Sequence, residues 1–157
     1  MKKRILKWGL ILLVSGIIIG GAVIYFMFNQ PHRNIQAATV DYKLETSALV
    51  KEFLTDATKA NNKYLDEEGE SKIIAISGTI ASISEDLNNQ KVLFLKTETD
   101  KAGVSCTFTT ETNMNTENFK VGDQANIKGV IRSGAGYDED LELYEDVILE
   151  KCNIIQN

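Results

Sequence analysis

The stretch "KIIAISGTIASIS" (Lys72–Ser84) is long, rich in isoleucine and interrupted by Gly78. Isoleucine is a β-branched residue that favours strands, so this stretch predicts a long β-strand. A glycine inside a strand commonly marks a bulge or a sharp bend. A small closed sheet needs strands that bend strongly, and this stretch is therefore where the prediction of the fold begins.

Four more strands are predicted after this one. They are "KVLFLKTE" (residues 91–98), "GVSCTFTT" (103–110), the end of "FKVGDQANIKGVIRS" (119–133) after a turn at Gly122 and Asp123, and "DVILEKCNII" (146–155). The polar insertion between the third and fourth strands, from Glu111 to Asn118, can hold a short helix. This order predicts a mainly β domain with a five-stranded Greek-key barrel, the plan of the OB-fold. Gly78 and Gly129 are placed to let strands bend; the alternative is a five-stranded sheet of another topology, such as an open sandwich.

A helix is predicted ahead of the strands. In "TSALVKEFLTDATKANNKYL" (residues 46–65) the apolar residues recur at spacings of three and four. Thr46 or Ser47 is expected to cap its first turn with a side-chain oxygen.

The N-terminal part of the chain predicts a membrane anchor. The run "WGLILLVSGIIIGGAVIYFMF" (Trp8–Phe28) has 21 residues and no charge. As a helix it would span about 31 Å, which matches the hydrocarbon core of a bilayer. The alternative, a cleaved signal peptide, needs a shorter apolar core and small residues at the cleavage site, whereas bulky residues follow here. We therefore expect an uncleaved signal anchor.

Charge sets the expected orientation of this anchor. Only Arg33 follows the run closely, whereas four basic residues precede it: Lys2, Lys3, Arg4 and Lys7. The positive-inside rule then places the N-terminus in the cytoplasm and the domain outside it, so we expect a single-pass protein of the inner (cytoplasmic) membrane with a periplasmic domain in the cell envelope. Gly16 and Gly20 form a G-x-x-x-G pair that could support a homodimer, although glycine is frequent in membrane helices.

Three regions are predicted. Residues 1–28 form the cytoplasmic tip and the transmembrane signal anchor. Residues 29–45, which hold Pro31 and His32 and lack periodicity, form a linker. Residues 46–157 form the helix and the OB-fold domain. After residue 28 the chain has 13 basic and 22 acidic residues, a net charge of −9.

The strand sequences resemble a known family. The runs "IIAISGTIASIS", "GVSCTF", "FKVGDQANIKGVI" and "DVILEKCNI" look like those of the bacterial tRNA_anti-like family over about residues 45–155. Its members are OB-fold domains, often secreted or attached to membranes. The resemblance implies an OB-fold and a nucleic-acid-binding ancestry, and no activity that can be transferred to particular residues. Many relatives are lipoproteins, and this chain differs by its membrane helix.

The two cysteines are candidates for a disulfide. In an OB barrel the third and fifth strands are neighbours, which would bring Cys106 close to Cys152, and disulfides persist outside the cytoplasm. The alternative is a pair of buried free thiols. Strict alternation would point Cys152 away from the side of Val147 and Leu149, so a bulge near Glu150 or Lys151 is needed to bring it inward.

Catalytic chemistry finds no support in the sequence. The only histidine, His32, lies in the predicted linker, so no Ser-His or Cys-His pair can form inside the domain. There is no C-x-x-C motif, and a zinc site would need more Cys or His residues. The acidic run "YDEDLELYED" does not fit the EF-hand template. We therefore expect no enzyme, no metal and no cofactor.

A binding role remains. OB-folds bind single-stranded nucleic acid through aromatic and basic residues, and Phe94, Lys96, Lys128 and Arg132 are the candidates for such a ligand face. A net charge of −9 opposes phosphate binding, so nucleic acid is the alternative rather than the expected ligand. The expected function is a membrane-anchored, non-catalytic binding or scaffolding module whose partner is an envelope protein or a glycan.

Overall fold

The computed structural model describes residues 2–28, 34–66 and 70–155, and in its first helix the side chains of Trp8 and of residues 13–28. The chain divides into two compact units, residues 1–33 and 34–157. The first unit contains helix α1 (Lys2–Phe28). Among the residues described in this way, no helix is both long and apolar enough to cross a membrane. Pro31, His32 and the rest of residues 29–33 lie outside the described residues.

The second unit contains a closed barrel of five strands. These strands are β2 (Ile73–Glu85), β3 (Lys91–Leu95), β4 (Val104–Phe108), β5 (Gln124–Ser133) and β8 (Val147–Ile154). Around the barrel they follow the order β2, β3, β4, β8, β5, and β5 returns to pair with β2. The parallel pair is β4 with β8, and the other four pairs are antiparallel. The prediction of a mainly β, five-stranded OB-fold barrel is confirmed, and the open sandwich is not found.

The barrel encloses one main apolar core. Every second residue of β4 is buried, and its inward side chains Val104, Cys106 and Phe108 are fully excluded from solvent. This alternation follows from the two-residue period of a strand, which sends successive side chains to opposite faces. The polar residues between them, Ser105 and Thr107, remain partly exposed on the outside.

A bulge at Lys151 turns the last cysteine into this core. Cys106 is opposite Leu149 and Phe108 is opposite Cys152, so two steps along β4 match three along β8. Lys151 has a φ of 52°, the left-handed conformation of a residue inserted into a strand. Leu149 and Cys152 consequently point the same way and are both buried. The predicted bulge is confirmed.

The predicted disulfide is not formed, which corrects that part of the sequence analysis. Cys106 and Cys152 carry free thiols, and both are buried. The cysteines are not register partners, because Cys106 pairs with Leu149 and Cys152 with Phe108. Burial raises the pKa of the Cys152 thiol well above its usual range, and a hydrogen bond with the Cys106 thiol raises it further. The two thiols therefore act as small core residues in contact with each other.

The predicted helix of residues 46–65 is two helices, α2 (Thr46–Thr55) and α3 (Ala57–Tyr64). Asp56 separates them, because its carboxylate accepts a hydrogen bond from the backbone N–H of Lys59 and caps α3. The predicted cap of α2 is wrong. The hydroxyl of Thr46 donates to the carbonyl of Ser77, and that of Ser47 donates to the carboxylate of Asp100. Both residues tie α2 to the rest of the unit instead.

The two helices and the barrel share one apolar core. Leu49, Val50, Phe53, Ala60 and Tyr64 are buried in the same cluster as the inward side chains of the barrel. The short helix predicted in the insertion after β4 is a 3₁₀ turn, η1 (Asn113–Thr116).

Part of the predicted linker belongs to the barrel unit. Strand β1 (Tyr42–Glu45) pairs in parallel with the first half of β2. Before it, Ile35 is buried against Ile73 and Val130. Lys128 donates hydrogen bonds to the backbone carbonyls of Gln36 and Ala38, which holds this segment on the barrel surface. We call residues 34–38 the clasp.

Between β5 and β8 the chain forms a small hairpin. Strand β6 (Gly136–Asp138) pairs with β7 (Leu143–Glu145). Tyr137 lies opposite Tyr144, with ring centroids 4.8 Å apart.

Candidate ligand-binding face

A row of outward-facing side chains crosses four neighbouring barrel strands. Ser82 on β2 is the register partner of Phe94 on β3, and Phe94 is the partner of Ser105 on β4. Ser105 in turn pairs with Ile148 on β8, whose side chain is 41% exposed. We call this surface the outer face. OB-folds bind their ligands on the second and third barrel strands, which here are β3 and β4.

The side chains in this row carry no charge, and two of them, Ser82 and Ser105, carry hydroxyl groups. A second row, formed by Ser84, Val92 and Thr107, runs beside the first. Phe94 is partly exposed, and its ring lies against Gly103, where an added Cβ would come within 2.4 Å of a ring carbon. The face therefore offers a fixed aromatic ring and several groups that can both donate and accept hydrogen bonds.

The predicted basic residues do not form a groove on this face. The ammonium Nζ of Lys96 donates to the backbone carbonyl of Lys101 at 3.2 Å. Lys128 lies on β5 and binds the carbonyls of the clasp. Arg132 forms an ion pair with Glu150, with 2.9 Å between Nε and Oε2. Phe94 lies on β3 and Lys96 directly follows the end of that strand, whereas Lys128 and Arg132 lie on β5 with partners of their own.

The hairpin adds strong negative charge to the same unit. Tyr137 and Leu143 are exposed, and the ammonium of Lys101 lies 5.2 Å from the ring centre of Tyr144. Six acidic residues lie in or beside the hairpin: Asp138, Glu139, Asp140, Glu142, Glu145 and Asp146. The two tyrosines that flank the acidic run, Tyr137 and Tyr144, are the sequence signal for this hairpin.

Several carboxylates serve the structure. Burial acts to raise the pKa of Asp100, but hydrogen bonds from Thr97 and Ser47 outweigh it and hold that pKa below its usual range. The hydrogen bond from Lys63 lowers the pKa of Glu52, which also accepts a hydrogen bond from the hydroxyl of Tyr64 at 2.9 Å. These contacts connect loops and helices, as expected of groups that hold a fold together.

The remaining candidate sites are a metal site and the glycine pair of α1. Within residues 2–28, 34–66 and 70–155, as far as their side chains are described, no group of three or more His, Cys, Asp or Glu residues is placed to hold a metal ion. Gly16 and Gly20 lie on exposed parts of α1, with no described atom within 4 Å of the position that a Cβ would occupy.

The closed five-stranded barrel defines a small OB-fold domain. The tRNA_anti-like family model matches residues 1–144, and the chain belongs to this family. No curated protein matches the chain.

Two solved structures are similar to the chain. One is a protein of Klebsiella pneumoniae proposed to be a nucleic acid-binding lipoprotein, with 16% identity and a TM-score of 0.53, covering 81% of this chain and all of the other. The other is asparaginyl-tRNA synthetase of Entamoeba histolytica in complex with asparaginyl-adenylate, with 14% identity and a TM-score of 0.35, covering 55% of this chain and 21% of the other. The first likeness supports the OB-fold of the barrel unit.

Proposed function

We propose that this protein is a membrane-anchored, extracytoplasmic and non-catalytic OB-fold module that binds a protein or a glycan of the cell envelope. The observation that carries the proposal is the uncharged outer face formed by the rows through Ser82 and Ser84. Hydroxyl groups and a fixed aromatic ring suit a neutral polar ligand or a protein surface, whereas a polyanion requires cations that are free to bind it. Arg132 and Lys128, the nearest candidates on β5, already have partners in the barrel unit.

The proposed membrane anchor and the proposed extracytoplasmic location are inferred from the sequence. The uncharged run Trp8–Phe28 is long enough for a bilayer, and four basic residues precede it. The description of the Klebsiella protein as a lipoprotein agrees with a place in the envelope. If two anchors associate, Gly16 and Gly20 would form the close contact between them.

Topology provides the test. Alkaline phosphatase is active only when exported, so fusion of it after Asn157 should give high activity, and fusion of β-galactosidase at the same position should give little. A matched variant with serine in place of Lys2, Lys3, Arg4 and Lys7 should lose part of the phosphatase activity, because the charge bias that orients the helix is gone. An inactive phosphatase together with an active β-galactosidase would contradict the proposed location.

Single-stranded nucleic acid is the second candidate. It is favoured by the fold of the family and by the description of the Klebsiella protein. The charge of the barrel unit and the occupied basic residues weigh against it.

A further inference from the structure

We infer that a second surface of the barrel unit, a cleft between η1 and the ends of β5 and β8, is a binding site for a neutral oligosaccharide. The cleft has a volume of about 580 Å³, which lies within the range of small-molecule sites. It is separate from the outer face, since none of the residues that form the two rows lines it. The cleft is therefore a second binding site, which goes beyond the function proposed for the outer face.

Side-chain amides dominate the polar part of the cleft. They belong to Asn115, Asn118, Gln124 and Asn126. Asn115 donates to the side chain of Asn153 and Gln124 donates to the hydroxyl of Thr79, both at 2.7 Å. The side-chain amides of Asn118 and Asn126 form no hydrogen bond with any other residue that the structure describes. Each amide offers two donors and an acceptor, which matches hydroxyl groups that both donate and accept.

Apolar groups form the rest of the lining. Phe119 and Ile154 are partly buried against the main core, and each leaves part of its side chain at the cleft. Ala125 lies at the cleft as a buried residue. A surface that is apolar in one part and rich in amides in another suits a sugar ring, whose C–H faces are apolar and whose edge carries hydroxyl groups.

The walls of the cleft are held in place by the fold. The buried hydroxyl of Thr112 donates to the carbonyl of Cys152 at 2.7 Å, which fixes the segment before η1 on β8. The backbone N–H of Ile155 donates to the carbonyl of Asn126 at 2.8 Å. Gly122, with a φ of 95°, makes the turn that leads into β5. A site whose walls are fixed in this way loses little conformational entropy when a ligand binds.

This cleft, which we call the amide cleft, differs in charge from a second cleft of similar size. The cleft between α2 and α3, of about 600 Å³, is lined by five charged residues among its eight: Lys51, Glu52, Asp56, Lys59 and Lys63. None of the residues that line the amide cleft is charged. A charged ligand would lose its hydration there without gaining a counter-charge, so the neutral class of ligand is favoured.

The experiment uses the full chain in nanodiscs and isothermal titration calorimetry. The probes are the neutral tetrasaccharides tetra-N-acetylchitotetraose, cellotetraose and maltotetraose, with the cationic glucosamine tetramer chitotetraose and the anionic tetragalacturonate as charged counterparts. We expect at least one neutral probe to bind more tightly than both charged ones. Asn118→Ala and Asn126→Ala should each weaken that binding about three- to tenfold, as expected for the loss of one or two neutral hydrogen bonds.

Control variants locate the site. Asn62→Ala, on the exposed surface of α3, should leave binding unchanged. If Asn126→Ala does not fold, as judged by thermal unfolding, Asn118→Asp serves in its place, because it keeps the shape and adds a charge. Loss of binding in Ile148→Ser with normal binding in Asn118→Ala would overturn the cleft as the site and leave the proposed function standing.

Two other results would also overturn the inference. One is tighter binding of either charged probe. The other is the absence of binding by all three neutral probes at about 10 mM, a concentration that would reveal even a weak site. Neither result bears on the topology fusions, which test the proposed location separately.

Discussion

Glycines in the barrel unit allow close approach between neighbouring groups. At Gly134 an added Cβ would lie 2.1 Å from one ring carbon of Phe53 and 2.2 Å from another. Phe53 is 1% exposed, so its ring has no open space to move into. Gly78 also leaves no room for a side chain, since an added Cβ would lie 2.2 Å from the hydroxyl oxygen of Thr46.

Gly134→Ala should therefore destabilise the fold. We expect a loss of about 2 kcal/mol in the free energy of unfolding, within the range for overpacked cores. The matched control is Gly136→Ala, whose Cβ would meet only the end of the Glu145 side chain at 3.3 Å. Urea unfolding of a fragment of residues 34–157 measures both. Equal losses in the two variants would contradict the assigned contact with Phe53.

The buried thiol of Cys152 predicts a stability that falls in alkali. Burial raises its pKa well above the usual range in the folded chain, whereas in the unfolded chain the thiol titrates near its ordinary value of about 8.5. Above that pH the unfolded state releases a proton that the folded state retains, so stability decreases as the pH rises. From pH 8 to pH 10 this contribution amounts to up to about 2 kcal/mol.

Comparison with Cys152→Ala isolates this effect. The variant should be less stable at every pH because its core has lost a packed group, and its free energy of unfolding should fall less between pH 8 and pH 10 than that of the wild type. Parallel curves for the two proteins would show that no thiol at this position titrates, which would contradict the free thiol.

At the scale of elements, the clasp makes a specific contribution. Ile35 is 5% exposed and packs on Ile73 and Val130 across the start of β2 and the middle of β5. Ile35→Ala in the fragment of residues 34–157 should cost about 2 kcal/mol, the low end for a buried isoleucine. A fragment that begins at Asp41 should unfold at a lower temperature for the same reason.

The control for the clasp is Ile148→Ala. Its side chain is 41% exposed on the outer face, so we expect a change within about 0.5 kcal/mol. Thermal and urea unfolding give both values. A loss in Ile35→Ala no larger than that in the control would mean that the clasp does not stabilise the barrel.

At the scale of the whole molecule, charge predicts weak binding of nucleic acid. The chain after residue 28 has 13 basic and 22 acidic residues, and Arg132 and Lys128 have partners. Fluorescence anisotropy with labelled 20-nucleotide single strands of DNA and RNA should give dissociation constants weaker than about 10 μM at physiological salt. Sub-micromolar binding that weakens steeply with added salt would instead support the second candidate function.

Local patterns in the sequence predicted the strands, the bulge and the helical region, because these features depend on residues close together in the chain. The isoleucine-rich run around Gly78 and the alternation in "GVSCTFTT" predicted strands because side chains of a strand alternate between two faces. The mismatch between Leu149 and Cys152 in the alternation of "DVILEKCNII" was enough to predict a bulge near Glu150 or Lys151, and the structure has it at Lys151. The sequence predicted one helix over residues 46–65 and missed the break at Asp56. The apolar pattern continues past Asp56, whereas the carboxylate of Asp56 accepts a hydrogen bond from the backbone N–H of Lys59 and so begins a second helix.

Tertiary structure alone decided which distant residues meet. The disulfide was predicted from neighbouring strands, but register placed Cys106 opposite Leu149. Lys128 and Arg132 looked like ligand contacts in the sequence, and folding gave them partners in the clasp and on β8. The amide cleft joins residues from η1, β5 and β8 that no local pattern connects. The physical reason is that alternation and charge are local properties of the chain, whereas pairing and register follow from how strands close into a barrel.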